Sequence, residues 1–146
     1  TDGVGEIHLT GSMVMTGYIN KEPIDGDFNT DDIGYIDEDG FVYILNRRKD
    51  LIISGGENIY PKELEDLVYT LTSVKECAVV PVSDVKWGQV PALFVAFHDG
   101  KSLPLEDIIV FMKDSLAKYK IPKYVKVLTA LPRNGTGKIL RNELKL

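Results

Sequence analysis

The first 48 residues carry short apolar runs separated by turn residues. Residues 6–10 alternate between polar and apolar side chains, which is the period of a strand with one buried face. Residues 33–36 and 41–45 are apolar runs that flank the sequence Asp37-Glu38-Asp39-Gly40. An Asp-Gly pair between such runs predicts a β-hairpin, because glycine adopts the positive φ that the turn requires. The pattern therefore predicts β-structure that is incomplete by itself.

From residue 50 onwards the pattern predicts strands that alternate with helices. Pro61 suits the first turn of a helix, and apolar positions 64, 67, 68 and 71 follow it at helical spacing. Apolar positions 105, 108, 109, 112 and 116 mark one face of a second helix. Strands are predicted at 77–80, 92–97 and 124–128, an irregular loop at 131–138, and a short helix from 139 to the end. The predicted fold class is α+β, with a small α/β domain built on a three-stranded sheet with flanking helices.

Charge is distributed unevenly along the chain. Residues 1–48 hold 10 acidic and 3 basic side chains, whereas residues 118–146 hold 8 basic side chains and one acidic one. A basic segment on an acidic chain predicts an anionic partner, either a nucleic acid or a phosphate-bearing small molecule, unless it is simply a solvated lysine-rich surface. No apolar stretch approaches the ~20 residues of a membrane helix, so no membrane span is predicted.

The cysteine and histidine content limits the possible chemistry. Cys77 is the single cysteine and is predicted to lie in the core, so no intramolecular disulfide can form. This usage fits a reducing cytoplasm. His8 and His98 lie far apart without ligand partners at a useful spacing, and no metal site is predicted.

Residues 132–138 place two glycines directly before a lysine. Gly135 and Gly137 add little bulk, so the loop is predicted to be mobile and to present the Lys138 ammonium to a ligand. The segment does not match the phosphate-binding P-loop, because Pro132 stands at the first glycine position and Ile139 follows the lysine. The glycine-rich segment instead favours a role for Lys138 in stabilising a developing negative charge on a ligand. The alternative is an exposed turn without a function.

Three further features are candidates for ligand binding. Asp32 lies in a predicted strand start, where a carboxylate can accept hydrogen bonds from both hydroxyls of a ribose, and Arg47 ends the returning strand. A surface salt bridge is the alternative for this pair. Gly55 and Gly56 allow the backbone to approach a thin ligand, or form a plain turn before the helix. Trp87 lies in a predicted loop, where it either packs against the protein or covers a ligand.

These signals occur together in one order that resembles a known family. The matching strings are residues 28–34, 37–40, 47–52, 55–65 and 135–138, which read FNTDDIG, DEDG, RRKDLI, GGENIYPKELE and GTGK. Their order resembles the C-terminal part of the adenylate-forming acyl-CoA synthetases, over essentially the whole chain. Within that family, residues 48–61, 87–91 and 116–120 are most similar to Gram-positive ligases of menaquinone biosynthesis.

The resemblance implies a reaction in two steps and a division of the chain. ATP first converts a carboxylic acid into an acyl-adenylate, and the thiol of CoA then displaces AMP. Residues 1–48 correspond to the end of the large N-terminal AMP-binding domain, and residues 49–146 correspond to the mobile C-terminal domain. The chain is therefore expected to be a piece of a longer protein and to be inactive alone. The rest of that N-terminal domain is an expected partner, and it is expected to hold the Mg²⁺ site.

The resemblance also implies roles for single residues. Lys138 corresponds to the catalytic lysine that bridges the acyl carboxylate and the α-phosphate, and Lys49 corresponds to the hinge between the two domains. Asp32 and Arg47 correspond to the residues that bind the ribose of ATP. Gly55 and Gly56 correspond to the loop that lines the pantetheine tunnel of CoA, and Trp87 corresponds to a position near that tunnel.

Two other functions remain open from the sequence. Another acyl- or aryl-CoA synthetase differs from the ligase above only in the acyl pocket, which lies outside this chain. A nucleic-acid-binding module built on residues 118–146 predicts binding with a steep salt dependence. That segment contains Tyr119 and Tyr124 but no recognised nucleic-acid motif, so no nucleic-acid partner is expected.

Overall fold

The computed structural model describes residues 3–146, which divide into two compact units between Lys49 and Asp50. The first unit is an antiparallel sheet of three strands in sequential order, β1 (Gly5–Leu9), β2 (Phe28–Ile36) and β3 (Val42–Arg47). The predicted hairpin between β2 and β3 is confirmed. Its turn is closed by the Asp37 carboxylate, which accepts the Phe41 N–H at 2.8 Å, and Gly40 has a φ of 85°.

The first unit buries very little of its apolar surface. Among residues 3–49 only Ile33, Gly34 and Asn46 are buried, whereas Phe41 and Ile44 are more than half exposed. The first unit, considered alone, therefore lacks a hydrophobic core. A sheet of this size needs a covered apolar face to be stable by itself.

The second unit contains a mixed sheet of five strands and two helices. The strands are β4 (Ile52–Ser54), β5 (Glu57–Ile59), β6 (Val74–Asp84), β7 (Gly88–Phe97) and β8 (Tyr124–Val127). The order is β5-β4-β7-β6, with β8 parallel to β7 and the other pairs antiparallel. Helix α1 (Pro61–Tyr69) begins at the proline, as predicted, and α2 is Leu105–Ser115.

Both faces of this sheet are buried, which explains the nearly continuous apolar runs in β6 and β7. Odd-numbered residues such as Val79 and Leu93 pack against both helices, together with Leu64 and Met112. Even-numbered residues pack against the C-terminal segment instead; they and their partners are Ala78, Val80, Ala92, Phe94, Ala96, Leu131 and Leu144. Cys77 is buried on the helix side, so its predicted core position is confirmed.

The α+β class is confirmed, but two details of the prediction are wrong. The sheet has five strands instead of three, because β4 and β5 are three residues each and too short to show a period of two. The C-terminal residues form a single 3₁₀ turn, Arg141–Glu143, instead of a helix from residue 139. None of the helices among residues 3–146 has the length and apolar character that a membrane crossing requires.

Candidate active-site elements

Asp32 and Arg47 lie opposite each other on β2 and β3 and form an ion pair. Arg47 Nε lies 2.9 Å from Asp32 Oδ1, and the same guanidinium donates to the Thr30 carbonyl at 3.1 Å. Asp31 has a positive φ of 59°, and its side chain is exposed while that of Asp32 is largely covered. The Thr30 hydroxyl accepts the Asp32 N–H at 3.1 Å. The local backbone thus orients one carboxylate of the Asp-Asp pair toward the arginine.

Gly55 and Gly56 form the two-residue turn between β4 and β5, and this turn contacts Trp87. Their φ values of 59° and 91° are typical of a type I′ turn, which joins antiparallel strands with their natural twist. The Gly55 N–H donates to the Trp87 carbonyl at 2.9 Å. A Cβ atom on Gly55 would lie 2.7 Å from Trp87 Cε3. Glycine is therefore required at position 55 by both the backbone angle and the indole ring.

A cavity of about 720 Å³ opens between this turn and the segment that follows α2. Its lining includes Gly55, Trp87, Pro91, Lys118, Tyr119 and Lys123. A Cβ atom on Gly56, in contrast to one on Gly55, would meet no other part of the protein within 4 Å. An apolar wall with basic side chains suits a thin, partly apolar ligand with an anionic group. Sequence reasoning placed Gly55 and Trp87 here only through the resemblance, and the lysine-rich tail signalled the remaining cations.

Asp84 fixes the loop that carries Trp87. One carboxylate oxygen accepts the backbone N–H groups of Lys86 and Trp87 at 2.9 and 3.0 Å, and the other contacts Lys123 Nζ at 2.5 Å. The bond to Lys123 and the two backbone bonds lower the pKa of Asp84, and the same bond raises the pKa of Lys123. Asp84 thereby joins two walls of the cavity, a role that the sequence analysis missed.

The loop at residues 132–138, called the Lys138 loop below, contains no regular helix or strand, as predicted, and hydrogen bonds organise it into a turn. Asn134 Oδ1 accepts the Thr136 N–H at 3.1 Å and the Lys138 N–H at 2.9 Å. The Asn134 N–H donates to the Lys138 carbonyl at 2.9 Å, and Gly137 has a φ of 84°. The Lys138 side chain is exposed. An Asn that organises its own turn is a recognisable sequence signal, and it was overlooked here.

The chain beyond Lys138 is attached to the free edge of β6. Arg141 makes a two-point contact with the Glu65 carboxylate, with one nitrogen–oxygen distance of 2.9 Å, and donates to the Val79 carbonyl at 2.9 Å. Glu65 is buried and also accepts the Val79 N–H at 2.7 Å. Side chains thus satisfy backbone groups that a sheet edge leaves unpaired. The pKa of Cys77 is raised to about 12, mainly because the thiol is buried and secondly because the Glu65 charge lies nearby.

Lys49 ends the first unit within the 3₁₀ turn Arg48–Asp50, and its side chain is exposed.

Among residues 3–146, no group of three or more His, Cys, Asp or Glu side chains is placed to hold a metal ion. The predicted ligand-binding and catalytic residues lie in three groups, which are Asp32 with Arg47, Gly55 with Trp87, and Lys138 on its own loop.

Residues 63–138 match the family model described as the AMP-binding enzyme C-terminal domain. That match covers more than half of the chain, so the chain belongs to this family, and the predicted resemblance is confirmed.

The similarity extends to a narrower group of enzymes. The chain is 55% identical to 2-succinylbenzoate–CoA ligase of Lactococcus lactis subsp. lactis (strain IL1403) over 98% of its own length and 31% of the relative. The chain also matches a structure of o-succinylbenzoate CoA synthetase from Bacillus subtilis in complex with the acyl-adenylate intermediate OSB-AMP. The TM-score is 0.90 and the sequence identity is 44%, and the match covers 97% of this chain and 30% of that chain. A double mutant of that enzyme, bound to its product analogue OSB-NCoA, matches over the same shares with 44% identity and a TM-score of 0.65. The chain spans about 30% of the length of these relatives.

Proposed function

We propose that the whole protein to which this chain belongs is an AMP-forming acid–CoA ligase that acts on 2-succinylbenzoate. The observation that carries the proposal is 55% identity across nearly the entire chain with a ligase of that name. The three groups of candidate residues support it, because each has the chemistry that one part of the reaction needs. Residues 1–146 alone are expected to be inactive, since most of such an enzyme lies outside them.

In the first step, a carboxylate oxygen of the acid attacks the α-phosphorus of ATP, and pyrophosphate leaves. Asp32 accepts hydrogen bonds from the ribose hydroxyls, and Arg47 holds that carboxylate in place through the 2.9 Å ion pair. The exposed Lys138 ammonium meets the negative charge that develops at the phosphorus. Because this charge is largest in the transition state, the lysine accelerates the step more than it strengthens substrate binding.

In the second step, the CoA thiol loses its proton to solvent water as its sulfur attacks the acyl carbonyl carbon, and AMP leaves with the electron pair of the broken C–O bond. The cavity beside Gly55 and Trp87 is the candidate passage for the pantetheine arm of CoA, with Gly56 at the tip of the same turn. Two glycines leave room for a thin ligand against the backbone. Lys118 supplies a cation on the cavity wall for an anionic group of CoA.

The two steps need different groups at one centre, so the proposal includes a rotation about Lys49. Hinges are a few residues at the ends of elements, and Lys49 lies in a short turn at the boundary of the two units. The Bacillus subtilis relative supports this. Its adenylate and product-analogue complexes match this chain with TM-scores of 0.90 and 0.65, so that segment of the relative differs in shape between the two complexes.

Mg²⁺ and the triphosphate of ATP are assigned to the part of the protein outside this chain. Residues 3–146 hold no group of metal ligands that would fit the ion. When bound, Mg²⁺ would supply charge neutralisation at the phosphates. A cytoplasmic location of the whole protein belongs to the same proposal.

The test uses the full-length protein with ATP, CoA and a panel of acids that contains 2-succinylbenzoate, benzoate and a fatty acid. The proposal predicts pyrophosphate release that depends on 2-succinylbenzoate, and a CoA thioester of that acid as the product. A clear preference for benzoate or the fatty acid would keep the ligase class and refute the substrate. No acid-dependent pyrophosphate release with any acid would refute the ligase function itself.

A further inference from the structure

Arg133 connects the Lys138 loop to the central sheet. Its guanidinium lies 3.1 Å from the Glu76 carboxylate on β6 and also donates to the Gly137 carbonyl at 2.5 Å. Gly137 is the residue directly before Lys138. A single side chain therefore joins a strand of the core to the peptide group that precedes the lysine.

The opposite end of this connection is fixed by the strand itself. Glu76 also accepts the Leu131 N–H at 3.0 Å, so it holds the loop at its entry as well as through Arg133. The side chain of Glu76 is 15% exposed, which limits the screening of its charge by water. The carboxylate accepts one hydrogen bond from Leu131 and two from Arg133, and all three are charge-assisted bonds that fix geometry, because the acceptor is ionised.

The regular alternation of β6 places Glu76 on the side of the sheet that faces the loop. In a regular strand, residues 74 and 76 would face the same side of the sheet. The pairing with β7 shifts between these positions, and Val74 packs in the helix-side core while Glu76 contacts Leu131, which belongs to the other core cluster. This bulge therefore turns Val74 to the helix side, whereas Glu76 stays on the same side as the other even-numbered residues of β6. Glu76 is thus placed by the backbone, independently of Arg133.

We propose that Arg133 and Glu76 are positioning residues that set the location of Lys138 for the first half-reaction, through the Gly137 carbonyl. Neither side chain needs to touch the substrate. The inference rests on the proposed function and adds a residue pair 57 positions apart in the sequence to its mechanism. Asn134 completes the arrangement by accepting the N–H of Lys138 itself.

The experiment compares Arg133→Gln, Glu76→Gln and the double variant in the full-length protein, with Lys62→Gln as the matched control. Lys62 forms an exposed ion pair with Asp66 within α1, so the control also removes one paired cation from the same unit. Pyrophosphate release measures the first half-reaction, and thioester formation from preformed acyl-adenylate measures the second. Amide hydrogen exchange at Lys138 reports the state of the loop without any catalysis.

Arg133→Gln is expected to lower kcat of pyrophosphate release about 10- to 100-fold, because small displacements of a catalytic group have effects of that size. KM for ATP, the rate of thioester formation and the behaviour of the control should not change. Glu76→Gln should cause a similar loss, and the double variant should be no slower than the slower single variant, because both act through one connection. Exchange of the Lys138 amide should accelerate in all three variants.

An equal loss in both half-reactions, or a loss no larger than that of Lys62→Gln, would overturn the inference. A loss for Arg133→Gln without one for Glu76→Gln would also overturn it, since Arg133 would then act directly. If Arg133→Gln does not fold, Arg133→Lys decides, because it keeps the charge but cannot span both acceptors. Absence of acid-dependent activity in the unsubstituted protein would refute the proposed function instead, and amide exchange would still show whether the pair holds the loop.

Discussion

The Lys138 loop and the Gly55–Gly56 turn lie in the same unit, and both contain glycines with positive φ, yet different forces hold them. The Lys138 loop is held by an ion pair and by hydrogen bonds to Asn134 and Gly137. The Gly55–Gly56 turn is held by strand register and by contact with an indole ring. The first arrangement depends on charge, and the second depends on volume.

This difference matches what each region is proposed to do. A lysine that stabilises developing charge must be held at a defined distance, and charge-assisted hydrogen bonds provide that definition. A passage for a thin ligand must exclude bulk, and close packing of glycine against Trp87 provides a narrow wall. Substitutions in the Lys138 loop should therefore slow the first half-reaction, whereas substitutions in the Gly55–Gly56 turn should affect the second.

The largest effect is expected for Lys138→Ala in the full-length protein. Loss of one preorganised positive group at the phosphorus should slow pyrophosphate release about 10²- to 10³-fold. Thioester formation from preformed acyl-adenylate should remain normal, because Lys138 is proposed to act in the first step alone. An equal loss in both half-reactions would remove the distinction between the two regions.

Glu65→Gln should have the largest effect on stability on the Lys138 side. It leaves the Arg141 guanidinium with only the more distant Asp50 carboxylate, 3.8 Å away, as an ionic partner in a largely buried site, which should lower the free energy of unfolding by about 3 kcal/mol. Glu63→Gln is the control, because Glu63 pairs with Lys120 at a more exposed site and should cost less than about 1 kcal/mol. Urea denaturation of the full-length protein measures both. Equal costs would show that Arg141 does not anchor the chain.

Gly55→Ala should act on the second region alone. The new methyl group would collide with Trp87 and would also strain the backbone at a φ of 59°. We expect KM for CoA to rise about tenfold with pyrophosphate release unchanged, a loss of binding near 1.4 kcal/mol. Gly56→Ala carries the backbone strain without the collision, so it separates the two causes. A slower first half-reaction in Gly55→Ala would contradict the assignment.

The smallest effect is the loss, in acid, of the stability that Glu76 contributes on the Lys138 side. The Leu131 N–H, and then Arg133, hold the pKa of Glu76 below its usual 4.5. Glu76 therefore stabilises the folded state at pH above 4.5, and this contribution is lost as the pH falls through its lowered folded pKa. The difference in unfolding free energy between the unsubstituted protein and Glu76→Gln should shrink across that range. A constant difference would show that the charge of Glu76 is not involved.

The sequence predicted those parts of the molecule that depend on local pattern. The β2–β3 hairpin, both helices and the long strands β6 and β7 follow from period and turn residues. The family resemblance named Lys138, Gly55 and Trp87, but no pattern could show that Gly55 and Trp87 touch, since they are far apart in the chain. Such contacts depend on how strands pair, which periodicity does not encode.

Among the supporting side chains that the sequence did not reveal, Asn134 and Glu76 were missed for two different reasons. Asn134 carries a local signal, because an Asn two residues before a Thr-Gly pair is typical of a side-chain-capped turn. Glu76 carries none, because its role depends on a contact with a loop 57 residues later in the chain. The residues that hold a site are therefore harder to find from sequence than the residues that present its chemistry.

The central claim is that Lys138 and the Gly55–Gly56 turn serve one reaction centre in succession. The most direct measurement is a pair of crystal structures of the full-length protein, one with the acyl-adenylate of 2-succinylbenzoate and one with a CoA thioester analogue. We predict that Lys138 Nζ lies within hydrogen-bond distance of the phosphate in the first structure. In the second, the lysine should be remote and the Gly55–Gly56 turn should contact the pantetheine arm. A lysine that occupies the same place in both structures would contradict the account.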